Sequence, residues 1–264
     1  MKRIKRNPVL SAAVLGWLVL AAGPAHAAHP LVTDDAGTLG AGAVQIEATG
    51  EFGRDRETAD DGTTLETRSS EAALTLTYGL TDSLDFVVAA PYQWLSVHEN
   101  DALAGRESGL SDMSLDLKWR FFEKDGWAMA LKPGVILPAG DDEKGLGSGR
   151  AGYRLFFIST GEMEPWAFHL NLGYIRNENG AGDRKDLWHA SAAAEVGLIE
   201  NLKAVANVGI GTNPAAGSSI DPAFALGGLI YEFSEKVSLD AGVKFGLTVP
   251  ETDVSYLVGL TFKF

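Results

Sequence analysis

The chain has 264 residues, 45% hydrophobic and 22% charged, with no cysteine and a formal net charge of −13. These proportions are ordinary for a folded protein. The missing cysteine excludes disulfides, thiolate metal sites and cysteine nucleophiles together, and the acidic balance argues against nucleic acid as a partner.

The first element is MKRIKRNPVLSAAVLGWLVLAAGPAHA, with four basic residues, an apolar core from Val9 to Ala22 and a small-residue site at Ala25-His26-Ala27. This is the pattern of an export signal cut after Ala27. As a membrane anchor the run falls short of the ~20 apolar residues a spanning helix needs. Cleavage would leave 18 basic against 35 acidic side chains, a net charge of −17. The next segment, residues 28–42 with AHPLVTDDAGTLGAG, lacks room for a strand of its own. Two roles are open to this periplasmic lead-in: a plug whose Asp34 and Asp35 bond to bases inside a lumen, or an ordered, passive terminus, the commoner outcome.

Twelve segments of alternating polarity follow, at approximately 43–54, 68–80, 84–97, 110–122, 127–138, 151–160, 166–176, 187–198, 203–212, 223–233, 237–248 and 255–264. Apolar residues recur at two rather than at three and four, so the chain reads as strand almost throughout. The connections alternate in length. TDS, EKDG, GEMEP, IEN and SEK are short, while DRETADDGTTLET, HENDALAGRESG, AGDDEKGLGSGR, NENGAGDRKD and NPAAGSSIDP are longer and polar, with the brief PETDVS closing that set. Five short and six longer links fit an even-stranded up-and-down barrel with short periplasmic turns and longer outer loops.

In the segment 113–121, Met113, Leu115, Leu117, Trp119 and Phe121 share one face, and Ser114, Asp116, Lys118 and Arg120 the other. A soluble sandwich alternates too, but the aromatic residues separate the two cases. Tyr78, Trp119, Trp127, Trp166 and Tyr231 fall toward the short-turn side, and Tyr92, Trp94, Tyr153, Tyr174, Trp188 and Tyr256 toward the long-loop side. Two such girdles are expected at the two membrane interfaces, where an apolar ring with a hydrogen-bonding tip is at home. Hydrocarbon offers no partners to an open sheet edge, so the sheet must close, with 255–264 pairing with 43–54. The fold expected is an all-β, closed, up-and-down antiparallel transmembrane β-barrel of about twelve strands over 43–264, in the bacterial outer membrane.

The polar face would line the lumen: Glu47, Glu51, Glu71, Asp85, Asp112, Asp116, Glu195 and Asp240 with Lys118, Arg120, Lys132, Arg154, Lys203, Lys244 and Lys263, joined by His169 and His189. Such a lining either sorts solutes by charge or pairs across a narrow interior and fills it. His29, His98, His169 and His189 lie in no GxSxG or HExxH setting. His169 and His189, inward on neighbouring strands, are placed to approach one another but read as lumen hydrogen bonders. AGDDEKGLGSGR lacks the alternate oxygen ligands of an EF-hand loop. No catalytic, cofactor or metal site is expected, and the expected partners are outer-membrane lipid and lipopolysaccharide, the barrel assembly machinery and a small-molecule solute.

HPLVTDDAGTLGAGAVQIE (29–47), GLTDSLDFVVAAPY (79–92), GLSDMSLDLKWRFFE (109–123) and LKPGVILPAGDDEKGLGSGR (131–150) resemble the meta-pathway of phenol degradation family of exported, outer-membrane transporter-like proteins. The resemblance implies a small outer-membrane barrel linked to uptake of aromatic compounds, and it carries no catalytic set. A more distant likeness to the long-chain fatty-acid channels is limited by this chain's shorter length and fewer strands. The expected function is passive passage of small solutes, aromatic or hydrophobic ones among them; a closed structural or adhesive barrel acting through acidic outer loops is the alternative. In SYLVGLTFKF, Tyr256, Val258, Leu260, Phe262 and Phe264 take alternate places. The final Phe264 resembles the signal by which such barrels are recognised for assembly.

Overall fold

The computed structural model describes residues 29–264, so the export segment lies outside the described residues. Thirteen β-segments run in chain order: β1 (Val44–Thr58), β2 (Thr64–Thr81), β3 (Leu84–Glu99), β4 (Ala102–Leu110), β5 (Met113–Lys124), β6 (Trp127–Leu137), β7 (Gly152–Met163), β8 (Trp166–Arg176), β9 (Asp186–Ile199), β10 (Leu202–Gly211), β11 (Ala223–Ser234), β12 (Val237–Gly246) and β13 (Val254–Lys263). They make twelve staves, because β4 and β5 share one. The lower part of β3, Leu84 to Ala89, pairs with β5, and its upper part, Tyr92 to Glu99, pairs with β4. Every pairing is antiparallel, and β1 closes on β13 from Gln45↔Lys263 to Arg54↔Val254. At the foot of that seam the Phe264 N–H donates to the Val44 carbonyl (2.8 Å) and the Val44 N–H to the Phe264 carbonyl (3.3 Å).

The five short turns expected from the sequence all fall on one end. At the β5–β6 turn Asp125 and Gly126 both have positive φ (52° and 78°), the backbone a two-residue hairpin loop requires. Asn100 and Asp101 (48° and 65°) do the same between β3 and β4. HENDALAGRESG is therefore largely a hairpin rather than the loop its polarity predicts, and DRETADDGTTLET likewise continues β1 and β2 as far as a turn at 59–63. A strand of about 9–11 residues suffices to cross a bilayer. β1, β2 and β3, with 15, 18 and 16 residues, rise beyond that on the long-loop side.

The pleat divides the solvents. Outward positions carry exposed apolar side chains such as Leu74, Leu170, Leu172, Leu229 and Phe245, whereas Glu47, Asp85, Asp116, Lys118, Arg154 and Asn171 point inward and are buried. Among the described residues no helix is long and apolar enough to cross a membrane. The apolar girth belongs to the strands.

Candidate functional site: the barrel interior and the segment that crosses it

On one wall of the interior the polar side chains predicted to face inward meet in ion pairs. The Arg154 guanidinium donates from Nε to Asp116 Oδ1 (2.7 Å) and from Nη2 to Asp116 Oδ2 (2.6 Å) and Ser114 Oγ (2.9 Å). Lys118 and Lys132, on the adjacent staves β5 and β6, stand below this pair. Both ammonium groups turn to a residue from outside the sheet: Asp34, which accepts from Lys118 Nζ at 3.0 Å and Lys132 Nζ at 2.8 Å.

Asp34 is 1% exposed because residues 29–42 run inside the barrel, across its short-turn half. The Leu39 N–H donates to both Asp85 oxygens (3.2 and 3.1 Å), and the Ala36 N–H to Thr160 Oγ1 (2.9 Å). The Asn171 amide, oriented to donate to the Asp34 carbonyl (2.9 Å), accepts from the Asp34 N–H (2.6 Å). Farther along, Asn207 Oδ1 accepts from the Val32 and Thr33 N–H groups (2.7 and 3.1 Å), and Asn207 Nδ2 donates to Thr33 Oγ1 (2.7 Å). On the opposite wall His29 Nδ1 meets the Asp240 carboxylate. Several backbone groups of this irregular segment thus find partners on the wall, as buried backbone must. Asp35 adds a 3.6 Å contact with Lys118. Burial raises its carboxyl, but the neighbouring Lys118 and His169 charges outweigh this and leave it below its ordinary value.

Glycines make the seat. A Cβ on Gly228 or on Gly242 would lie 2.7 and 2.9 Å from the Pro30 ring. Apolar inward residues complete it: Leu31 packs in one cluster with Val205, Phe224, Leu226, Ile230 and Leu257, and Ala36 in another with Ala130, Phe156 and Ile158. The alternation rule could have exposed this apolar wall. Counting by twos from Arg154 gives Phe156, Ile158 and Thr160, but β7 also carries Tyr153, Leu155 and Phe157 on its other face, so neither side looks like a lumen. The rings of Phe156 and Phe224 lie over Gly173 and Gly209, where a Cβ would run into them.

Above the crossing segment a second polar group forms. Lys244 Nζ lies 2.9 Å from Glu51 and 3.5 Å from Glu251 of the β12–β13 loop. Burial pushes the Glu251 carboxyl up from its ordinary value, and the Lys244 charge only partly opposes this. Gln93 Nε2 donates to Glu71 Oε2 (2.8 Å). Asp112, at the break between β4 and β5, accepts from the Gly140 N–H (3.0 Å), the Ser148 N–H (2.8 Å) and Ser148 Oγ (2.6 Å), holding the long loop 138–151 inward. Leu146 of that loop is 1% exposed and reaches the lumen side of Gly109.

The remaining predicted lining residues are more scattered. Arg120 pairs with Glu123 (3.1 Å) near the turns, Lys203 with Glu232 (2.9 Å), and Lys263 is exposed. The two inward histidines do not approach one another. His169 faces Ala193 across the β8–β9 ladder while His189 faces Gly173, four residues away along β8. At the usual strand rise that is about 13 Å. His169 meets Thr160 Oγ1 (2.9 Å) and Glu195 (3.3 Å), whereas His189 meets Ser191 Oγ (3.0 Å) and the Phe156 ring. Adjacent strands fix only a shared face, and the register fixes the height. Of the aromatic residues, Trp119, Trp127, Trp166, Tyr78 and Tyr231 point outward near the short turns. Trp94, Tyr153, Trp188 and Tyr256 point outward toward the other end, where the rings of Tyr92 and Tyr174 meet those of Trp94 and Trp188 at tilts of 49° and 54°.

An outer-membrane-type barrel with an amphiphilic, internally crossed lumen is the class these features define. Residues 33–264 match the family described as "Putative MetA-pathway of phenol degradation", and the chain belongs to that family. No curated protein matches it in sequence. Among solved structures it is similar to the transport unit of the autotransporter AIDA-I from Escherichia coli (9% identity, 99% of each chain, TM-score 0.56). It is similar also to the NanC porin (10% identity, 83% of this chain and 100% of that one, TM-score 0.54) and the KdgM porin (8%, 83% and 99%, TM-score 0.54). At these identities the likeness is one of fold.

Proposed function

We propose that the protein is a channel of the bacterial outer membrane for passive passage of small solutes, including aromatic or hydrophobic ones, and that residues 29–42 act as its plug. The observation that carries this reading is the pairing of a buried polar wall (Asp116, Arg154, Lys118, Lys132) with an apolar one (Phe224, Leu226, Ile230, Leu257) around one irregular segment. A barrel with a purely structural role could fill its interior from the wall alone, as the smallest barrels do. Here the filling includes a separate chain segment, held by side-chain contacts that can be exchanged for water or solute. Family membership supports the aromatic class of solute, and Phe156 and Phe224, buried in the clusters that hold Ala36 and Leu31, would become apolar surface once that segment moved.

The test is single-channel recording in planar bilayers of the intact barrel and of a variant lacking residues 29–39. We expect small or rare current steps from the first and larger, steadier ones from the second. The filled interior is also what favours the alternative, a closed barrel acting through acidic outer loops. Silence from both proteins, each shown folded by heat-modifiable gel mobility, would establish that alternative and end the channel reading.

A further inference from the structure

Glu51, Glu71, Gln93 and Gly109 stand directly across from one another on β1, β2, β3 and β4, all facing the lumen. The row is level with the outer aromatic residues Tyr92 and Trp94. Two carboxylates in directly opposed positions repel. The lysine nearby does not resolve this, because Lys244 is already divided between Glu51 and Glu251. Among the described residues no basic nitrogen lies within ion-pair distance of Glu71, whose hydrogen bond comes from the Gln93 amide. That bond fixes the amide orientation, since the reverse would turn an oxygen on a carboxylate. It leaves Gln93 Oε1 buried with no donor, on a residue only 4% exposed. A buried acceptor without a partner has given up its hydration with nothing in return. The row therefore gathers carboxylate and amide acceptors, of which Glu51 is held by Lys244 while Glu71 and Gln93 Oε1 are short of donors.

We propose that Glu71, Glu51 and Gln93 form a recognition site for a small organic ammonium ion. An ammonium carries a positive charge and several N–H donors diverging from one atom, which together answer the repulsion and the orphaned oxygen. Among the described residues no three His, Asp or Glu side chains gather as a metal would need. Leu95, two residues along β3, and Leu146, over Gly109, give the organic substituent an apolar neighbour. The site is reachable from water, because the Glu51 side chain keeps 36% of its exposure. As a statement about what crosses the membrane this rests on the channel reading, but binding itself does not.

Calorimetric titration of the folded barrel in detergent with benzylammonium chloride, and with the neutral benzyl alcohol, tests the site apart from conductance. We expect saturable binding of the ammonium and none of the alcohol. E71Q should weaken it roughly tenfold or more, the scale of one charge-assisted hydrogen bond. Q93M, close in size but lacking the acceptor, should weaken it as well. Gel mobility reports that each variant is folded. Equal affinity in E71Q, equal binding of the alcohol, or displacement by sodium or magnesium at matched ionic strength would overturn the proposal. So would absence of binding to the intact barrel, even if current steps are seen; binding without current would keep the site and remove the channel.

Discussion

Asp34 ties the crossing segment to two charged side chains of the wall. Its carboxylate is shared by two ammonium groups whose side chains are 7% and 3% exposed. Breaking a buried pair costs more than the pair itself contributes, since the survivors stay charged and unpaired, typically on the order of 3–5 kcal/mol. D34N should therefore lower the urea midpoint of the folded barrel, whereas D183N in the outer loop 177–185 should leave it almost unchanged. Replacing Asp34, Lys118 and Lys132 together by apolar residues of similar size should restore much of the loss. A second substitution probes the seat by shape: G242V puts branched carbons where the Pro30 ring lies and should raise hydrogen exchange of the amides at 31–36 without disturbing the strands. The residues of this contact are visible in the sequence as PLVTDD and as two lysines on inward faces. Their meeting is not visible, because a segment without periodicity carries no signal of where it goes.

At the scale of single elements, Asp112 stands at the break in the β4–β5 stave. Its three accepted bonds tie the loop 138–151 to the mouth, and Leu146 anchors the loop's tip. D112A should free that loop, read as faster proteolysis within 140–150 while the barrel's heat-modifiable mobility persists. The short 3-10 helix Asp142–Lys144 keeps its own cap through Asp141, so the loop would loosen at its ends first. Strand identity was legible in the transmembrane staves because lipid outside and water within impose period two. It was illegible in β4 and the tops of β1 and β2, which rise beyond the length a bilayer needs and carry no apolar column. What holds them is ladder hydrogen bonding, the Glu66 carboxylate between Arg54 and Arg68 (2.6 Å each) on β1 and β2, and the Asn100-Asp101 turn beside β4; among turn formers Asn and Asp tolerate positive φ best after glycine.

For the molecule as a whole, the lengths of strand between the aromatic ends fit a bilayer. On β8, Trp166 and Tyr174 are eight residues apart, about 27 Å along the strand and near 20 Å along the membrane normal at a tilt of roughly 40°. In vesicles, tryptophan fluorescence should be quenched more strongly by lipids brominated near the headgroup than by lipids brominated at the chain end, and equal quenching would contradict the girdles. Closure was legible too, since an open edge is not viable in hydrocarbon, and the seam between β1 and β13 lies where that requirement predicts. The inner apolar wall was harder to read, because a lumen that must hold both water and a chain segment need not be polar all round.

The crossing segment bears finally on the order of assembly. Thr33 joins Asn207 and His29 joins Asp240, residues 174 and 211 positions later in the chain. Its berth is made of pieces contributed by β3, β5, β6, β7, β8, β10, β11 and β12, so no partly built sheet offers it. The part of the described chain that is synthesised first is therefore the last to find its place. Its docking would then be the event that marks a barrel as finished.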